Sequence, residues 1–189
     1  MGNREDLLAG ARKVILERGV AKATARDIAA AAGVSLAAIG YHFGSKDRLV
    51  TEALSEALGT GMGDAMDELI AAGAGTSPLA GLTSLWNGMP EVFANNHEAM
   101  LASLENIVRI VRSDDARAQL GDRLSEAFAD LGAHVHAAHP ELDAAQAAAI
   151  GRMYFVIAQG LGILWLLDPG EVAVDGDQLA VAVRALTGQ

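Results

Sequence analysis

The sequence predicts an all-α protein of about nine helices arranged in two parts. Three observations predict it. Apolar residues recur at three- and four-residue spacing along nearly the whole chain, the mark of helices that bury one face. Ser, Thr, Asp, Gly and Pro stand at the ends of those runs, where helices start and stop. Charge is also divided: residues 1–50 carry eight Lys/Arg and five Asp/Glu, a net +3, whereas residues 51–189 carry six and nineteen, a net −13. A basic head of residues 1–50 and an acidic body of residues 51–189 are therefore expected, with a soft seam near residue 50. The composition, 51% apolar and 20% charged over 189 residues, suffices to bury a core. Cys is absent, which removes disulfides, thiol catalysis and Cys-based zinc sites. The charged, amphipathic start lacks the apolar core of a signal peptide, so a cytoplasmic location is expected.

The first helix carries Leu7, Leu8, Ala11, Val14 and Ile15 on one side and stops at Gly19. Thr24 caps a second, with Asp27 three residues on as its capping partner. Ile28, Ala31 and Ala32 give this helix a buried side of small residues, which lets a neighbour approach closely. Gly33 ends it where positive φ is needed, Val34 turns inward, and Ser35 is read as the cap of a short third helix running from Leu36 to about His42. Ile39 and Phe43 anchor that helix. Leu36, Ala37, Ala38, Gly40, Tyr41 and His42 are expected to face outward or lie at its rim. A helix of this width fits the DNA major groove. Leu36 and the two alanines suit thymine methyls, while Tyr41 and His42 suit phosphates or base edges. Thr24 and Ser35 would offer hydroxyl and backbone N–H groups to phosphate. Ser45 caps a fourth helix whose first turn holds Lys46, a cation that opposes the helix dipole and is better explained by a phosphate.

This combination, Thr24, Asp27-Ile28-Ala29, Ala32-Gly33-Val34-Ser35, Ile39, Tyr41-His42-Phe43 and Ser45-Lys46, resembles the DNA-binding domain of the TetR family of transcriptional regulators over residues 5–52. The resemblance implies a three-helix, helix-turn-helix head on a helical body that binds ligands and dimerises. It also implies that the last two helices pair with those of a second copy. Leu36-Ala37 stands where Lys-Gly is frequent in the family, and Gly40 where an aromatic residue or Asn is frequent. These departures fall on the positions expected to read bases.

In the body, Leu49 to Leu58 continue the fourth helix, Gly59, Gly61 and Gly63 interrupt it, and the period resumes to Ala72, so one bent helix is expected. The glycines suit either a hinge or close packing. Pro78 starts the next helix, with Leu79, Leu82, Leu85, Trp86 and Met89 on one face; Pro90 is expected to kink or end it. Further helices are expected over 97–112, from Ser113 to about Ala138, from Asp143 to about Asp168, and from Asp175 with Gln178 as its capping partner. Residues 150–167 are apolar nearly all round. Arg152, Gln159 and three glycines argue for a helix buried on two sides rather than a membrane span, and no membrane partner is expected.

One side of that helix would pack on its own core. The other, with the last helix, would meet a second subunit through Ile157, Gly160, Leu161, Leu164, Trp165, Leu179 and Val183. A homodimer is also what a short reading helix needs, since two heads can span half-sites one DNA turn apart. Trp86, Met89, Phe93, Met100, Leu104, Phe128 and Tyr154 are the candidates for an apolar small-molecule site; plain core packing is the other reading of the same residues. His134, His136 and His139 are expected to be solvated helix-end residues, with no metal site and no cofactor. No Ser/His/Asp set, phosphate loop or HExxH pattern is present, so no enzyme is expected. The functional expectation is a DNA-binding regulator, a dimeric repressor released from a palindromic operator by a small apolar ligand. The alternative is a DNA-binding regulator or architectural protein without an inducer.

Overall fold

The computed structural model describes residues 3–169 and 173–188. Among the described residues it consists of helices α1 (Asn3–Arg18), α2 (Ala25–Ala32), α3 (Ala37–Phe43), α4 (Lys46–Leu58), α5 (Asp64–Ala72), α6 (Pro78–Asn95), α7 (His97–Val111), α8 (Asp114–Ala138), α9 (Ala144–Leu167) and α10 (Gly176–Thr187). A π-helical stretch, Gly59–Gly63, carries α4 into α5 without a break, so residues 46–72 form the single interrupted helix expected from the sequence. Counted that way, the described helices number nine.

The chain divides into two compact units. The first comprises residues 1–60 and 98–120, and the second residues 61–97 and 121–189. As a packing unit the head therefore extends beyond residue 50, for a visible reason. Leu49, Val50, Ala53 and Leu54 of α4 and Ala102 of α7 lie in the same buried cluster as Leu7, Ala11, Ile15, Ile28, Ile39 and Phe43. Each large side chain removed from water there contributes about 1.5–3 kcal/mol.

Local chemistry fixes the head. The Thr24 hydroxyl accepts the Asp27 N–H at 3.2 Å and starts α2. Gly33 stops it at φ +67°, with the Val34 N–H reaching back to the Ala29 carbonyl at 3.0 Å. Gly10 lets α1 and α2 cross: a Cβ there would stand 2.9 Å from the Ala32 nitrogen and 3.0 Å from the Ile28 oxygen. Three polar links fasten α7 to the same unit. Glu105 accepts the Val20 N–H at 3.1 Å, Arg109 pairs with Asp47, and the Asn106 amide donates to the Thr51 hydroxyl at 3.1 Å. Asn106 is only 3% exposed and its Oδ1 finds no donor. Thr51→Val should then strand the buried amide entirely. A loss of about 1–3 kcal/mol is expected, read as a lower urea midpoint at unchanged slope.

In the second unit, α5, α9 and α10 each pack on α6. The α6 helix does not end at Pro90 but continues to Asn95, so the proline removes one backbone hydrogen bond without breaking the helix. Helices α9 and α10 open with full capping boxes, Asp143 with Gln146 and Asp175 with Gln178. The glycines of the interruption have different surroundings. A Cβ on Gly61 would lie 2.0 Å from the Asn96 Oδ1, whereas one on Gly59 would meet nothing within 4 Å. Gly61 is therefore a close-packing position. Helix α9 is long and apolar enough to cross a membrane by length and composition alone. Ala147, Gly151, Tyr154, Ala158 and Gly162 on it are buried within the protein.

Candidate nucleic-acid interface and body cavity

Helix α3 presents one bare face. Leu36, Ala37, Gly40 and Tyr41 are exposed, with Tyr41 reaching 86%, and Ser35 just before the helix is exposed as well. His42 is half-buried and stands edge-on to the Tyr41 ring at 4.9 Å. Ile39 and Phe43 hold the opposite side in the core.

Ala38 joins them at 8% exposure, contrary to its expected outward position. The cause lies in how α3 begins. Ser35 does not cap it through its side chain. The first turn is tight instead, with the Ala38 N–H on the Ser35 carbonyl at 3.0 Å and the Ile39 N–H on the Leu36 carbonyl at 3.3 Å. Residues 38 and 39 then point inward together, and the Ser35 hydroxyl is left at the surface.

Several head charges are already engaged. Arg4 pairs with Glu52, Arg12 with Glu56 at 3.0 Å and Arg18 with Asp27 at 3.3 Å. The Lys46 ammonium donates to the Ala23 carbonyl at 3.1 Å, which ties the start of α4 to the turn before α2. It spends one of three donors there, so its position is partly structural. The Thr24 hydroxyl donates to the Asp27 carboxylate at 2.6 Å, so its proton also has a partner within the head.

Among the described residues, Lys13, Lys22, Arg26 and Arg48 are exposed and have no ion-pair partner. Arg48 lies beside the end of α3, its guanidinium 3.8 Å from where a Cβ of Gly44 would stand. Sequence reasoning counted Arg26 and Arg48 in the head's positive charge but did not single them out. For Arg26 the available signal was the lack of an acid at helical spacing; for Arg48 there was none, since Glu52 stands four residues on and only the structure shows it paired with Arg4 instead.

The hydrogen bond from Thr24, aided by Arg18, holds the Asp27 carboxyl below its ordinary value of 3.8. A depressed carboxylate pKa stabilises the fold above its unfolded value, and that contribution disappears as pH falls through the folded value. Asp27→Asn should accordingly reduce the difference in stability between neutral pH and pH below about 4. The check is a urea midpoint at each pH for both chains.

In the second unit, Trp86, Met89, Pro90, Phe93, Leu161, Trp165, Ala173 and Val174 line a cavity of about 10 Å³. The Trp86 ring meets Tyr154 edge-on at 5.9 Å. Burial pushes the Tyr154 phenol up to about 12, so it stays neutral at ordinary pH. Leu161 and Trp165, expected at a subunit seam, are half-buried and line this wall; α9 is apolar on nearly all sides, so its period does not choose a facing direction. Phe128 pairs with Phe155 at 5.1 Å under Arg152 rather than joining the cavity. Met100 and Leu104 lie on α7, in the first unit, where Leu104 is exposed.

Of the other expected seam residues, Gly160 and Leu164 are exposed, and Ile157, Leu179 and Val183 are half-buried. Met153, Val156, Ile163 and Leu167 extend the exposed apolar set on α9, as do Val181 and Leu186 on α10. The histidines do not converge. His134 pairs with Asp67 at 2.8 Å, and His139 is only 4% exposed against Gly81, so it is a core residue rather than a solvated one. Among the described residues no cluster of His, Cys, Asp or Glu could hold a metal.

Residues 7–53 match the model of the bacterial regulatory proteins of the tetR family. The chain belongs to the TetR family. A curated relative is the HTH-type transcriptional repressor KstR2 of Mycolicibacterium smegmatis, 30% identical over 137 residues, which is 67% of this chain. The chain spans 65% of that relative's length. Among solved structures, a transcriptional regulator from Rhodococcus sp. RHA1 superposes with a TM-score of 0.71 at 19% identity, covering 98% of this chain and 95% of the other. The multidrug binding protein EbrR complexed with imidazole gives 0.65 at 20% identity, covering 98% and 95%. These likenesses establish the TetR fold along the chain.

Proposed function

We propose that this TetR-family protein is a dimeric transcriptional repressor that binds a palindromic operator in double-stranded DNA and is released by a small apolar ligand. The observation that carries the DNA-binding part is the face of α3. Leu36, Ala37, Gly40 and Tyr41 are bare to solvent on a helix whose Ile39 and Phe43 are buried behind them, and among the described residues Arg26 and Arg48 are exposed cations with no ion-pair partner. Base-edge contacts specify a sequence and phosphate contacts position the protein. In this reading the first group supplies the specificity. Arg26, Arg48, the spare donors of Lys46, His42 and the Ser35 hydroxyl supply the grip. Residues 1–50 form the DNA-binding domain and residues 51–189 the ligand-binding and dimerisation domain of a cytoplasmic protein. The relative KstR2 is named as a repressor, which supports the sign of regulation.

The second copy would dock on the outer face of α9. Met153, Val156, Ile163 and Leu167 form an exposed stripe of roughly heptad spacing, and Gly160 in its middle has nothing within 4 Å of its would-be Cβ. A stripe of that period suits helix-to-helix packing, and a bare glycine lets two backbones approach. Small-molecule control is supported by the cavity beside Trp86 and by the neighbour EbrR, which is named a multidrug binding protein. Control would reach the head along two routes: α4, which runs on through the π-helical stretch, and α7, which Glu105, Asn106 and Arg109 fasten to the head.

Selection of bound duplexes from random DNA, at a fixed salt concentration, tests the proposal. An enriched palindrome with half-sites about one helical turn apart supports it, and recovery of no preferred sequence overturns it. The small size of the cavity favours a second reading, a DNA-binding regulator without an inducer. Thermal melting against a metabolite library separates the two, since a specific ligand raises the midpoint in the first case only.

A further inference from the structure

We propose that the effector of this protein is a neutral, largely apolar molecule bearing a hydrogen-bond-accepting oxygen, and that it seats between α6 and α9 with that oxygen on the Trp86 indole N–H. The inference rests on the ligand-responsive reading above and specifies its chemistry.

Trp86 is 1% exposed, and its Nε1 is buried with no hydrogen-bond partner among the described residues. An indole nitrogen can only donate, and an unpaired buried donor is costly, so the site calls for an acceptor. Around it stand Met89, Phe93, Leu161, Trp165 and Val174, all apolar save for the second indole nitrogen. Among the described residues no Asp, Glu, Lys or Arg lines the cavity, and Tyr154 beside Trp86 stays a neutral phenol. A cation or an anion would enter this site without a counter-charge, which disfavours both. An apolar body with one accepting oxygen matches the wall and satisfies the donor left unpaired, the Trp86 indole N–H.

The cavity of about 10 Å³ is close to the size of one water, so a larger occupant must part its walls. Met89 and Leu161 are unbranched or flexible side chains suited to moving aside. A ligand that binds only the parted form binds two conformations unequally. That inequality is the condition for any ligand-driven release.

The chain has two tryptophans, and both line this cavity. A proton–nitrogen correlation spectrum of the full chain therefore shows two indole signals, and Trp86→Phe assigns them by removing one. Three probes of one shape suffice: cyclooctanone, cyclooctane and cyclooctylamine. Cyclooctanone is expected to move the Trp86 indole proton downfield and saturably. It should bind roughly three- to tenfold more tightly than cyclooctane, the span of one neutral hydrogen bond. In Trp86→Phe that preference should fall to about one, while native helical circular dichroism and a cooperative urea transition show that the chain remains folded. Equal binding of ketone and alkane overturns the proposal. So does a ketone preference that survives in Trp86→Phe, tightest binding by the amine, or the absence of any saturable shift. None of these outcomes touches DNA selection, which is measured without ligand. Conversely, a normal ketone response in a chain that selects no DNA sequence would strike the regulator reading alone.

Discussion

Gly151→Ala should lower the stability of the helical body by about 1–3 kcal/mol, although it adds a single methyl group to a helix. In an open helix the same change stabilises by about 0.5–1 kcal/mol. The difference comes from what the methyl meets. A Cβ on Gly151 would lie 2.7 Å from the Gly132 nitrogen and 2.9 Å from the Leu131 carbonyl carbon. These are backbone atoms of α8 and cannot rotate away, so the two helices must separate at their crossing. Gly132 faces the same contact from the other side, 3.1 Å from the Ala148 Cα by its own would-be Cβ. Gly121 on α8 is the matched control, since a Cβ there meets nothing within 4 Å. Urea denaturation should place Gly151→Ala well below the native midpoint and Gly121→Ala at or slightly above it. A native midpoint for Gly151→Ala would show that the α8–α9 crossing is looser than described.

Reversing two charges on the head should abolish most DNA affinity without harming the fold. Arg26→Glu combined with Arg48→Glu is expected to weaken operator binding roughly 100-fold or more, as two charge-assisted contacts are lost and repulsion replaces them. The milder Arg48→Ala should weaken binding to all duplexes alike and lower the salt dependence by about one phosphate contact. Both arginines are exposed and without ion-pair partners among the described residues, so thermal stability should change little. Anisotropy titrations of a labelled operator at several salt concentrations give both quantities. Unchanged affinity in the doubly reversed chain would remove these two residues from the interface.

The features most legible in the sequence are those that short-range chemistry decides. Thr24, Gly33, Asp143 and Asp175 act at helix ends as expected, because a cap is satisfied within three or four residues of itself. Ile28, Ile39 and Phe43 were readable as the head's core from their spacing. The outward face of α3 was readable except at Ala38, where a tight first turn rotates the following residues inward. Larger misses lie where tertiary packing decides. Residues 150–167 are apolar all round, so periodicity alone could not place Leu161 and Trp165 in a cavity wall. His139 is buried because Gly81 leaves room for its ring, and Gly10 matters because α2 lies against it. Neither neighbour is close in sequence. Of the two expectations for Pro90, a kink in α6 or its end, the end is excluded, since the helix continues to Asn95.

The central claim is a division of labour in the head, in which the exposed face of α3 chooses the DNA sequence and the surrounding cations only hold it. Sequence selection from random duplexes, repeated with Leu36→Lys and with Arg48→Ala beside the native chain, tests this most directly. The account predicts that Arg48→Ala recovers the native palindrome at reduced affinity, whereas Leu36→Lys recovers a palindrome altered at defined positions in each half-site. Recovery of the unchanged native sequence by Leu36→Lys, or of a new sequence by Arg48→Ala, would contradict it.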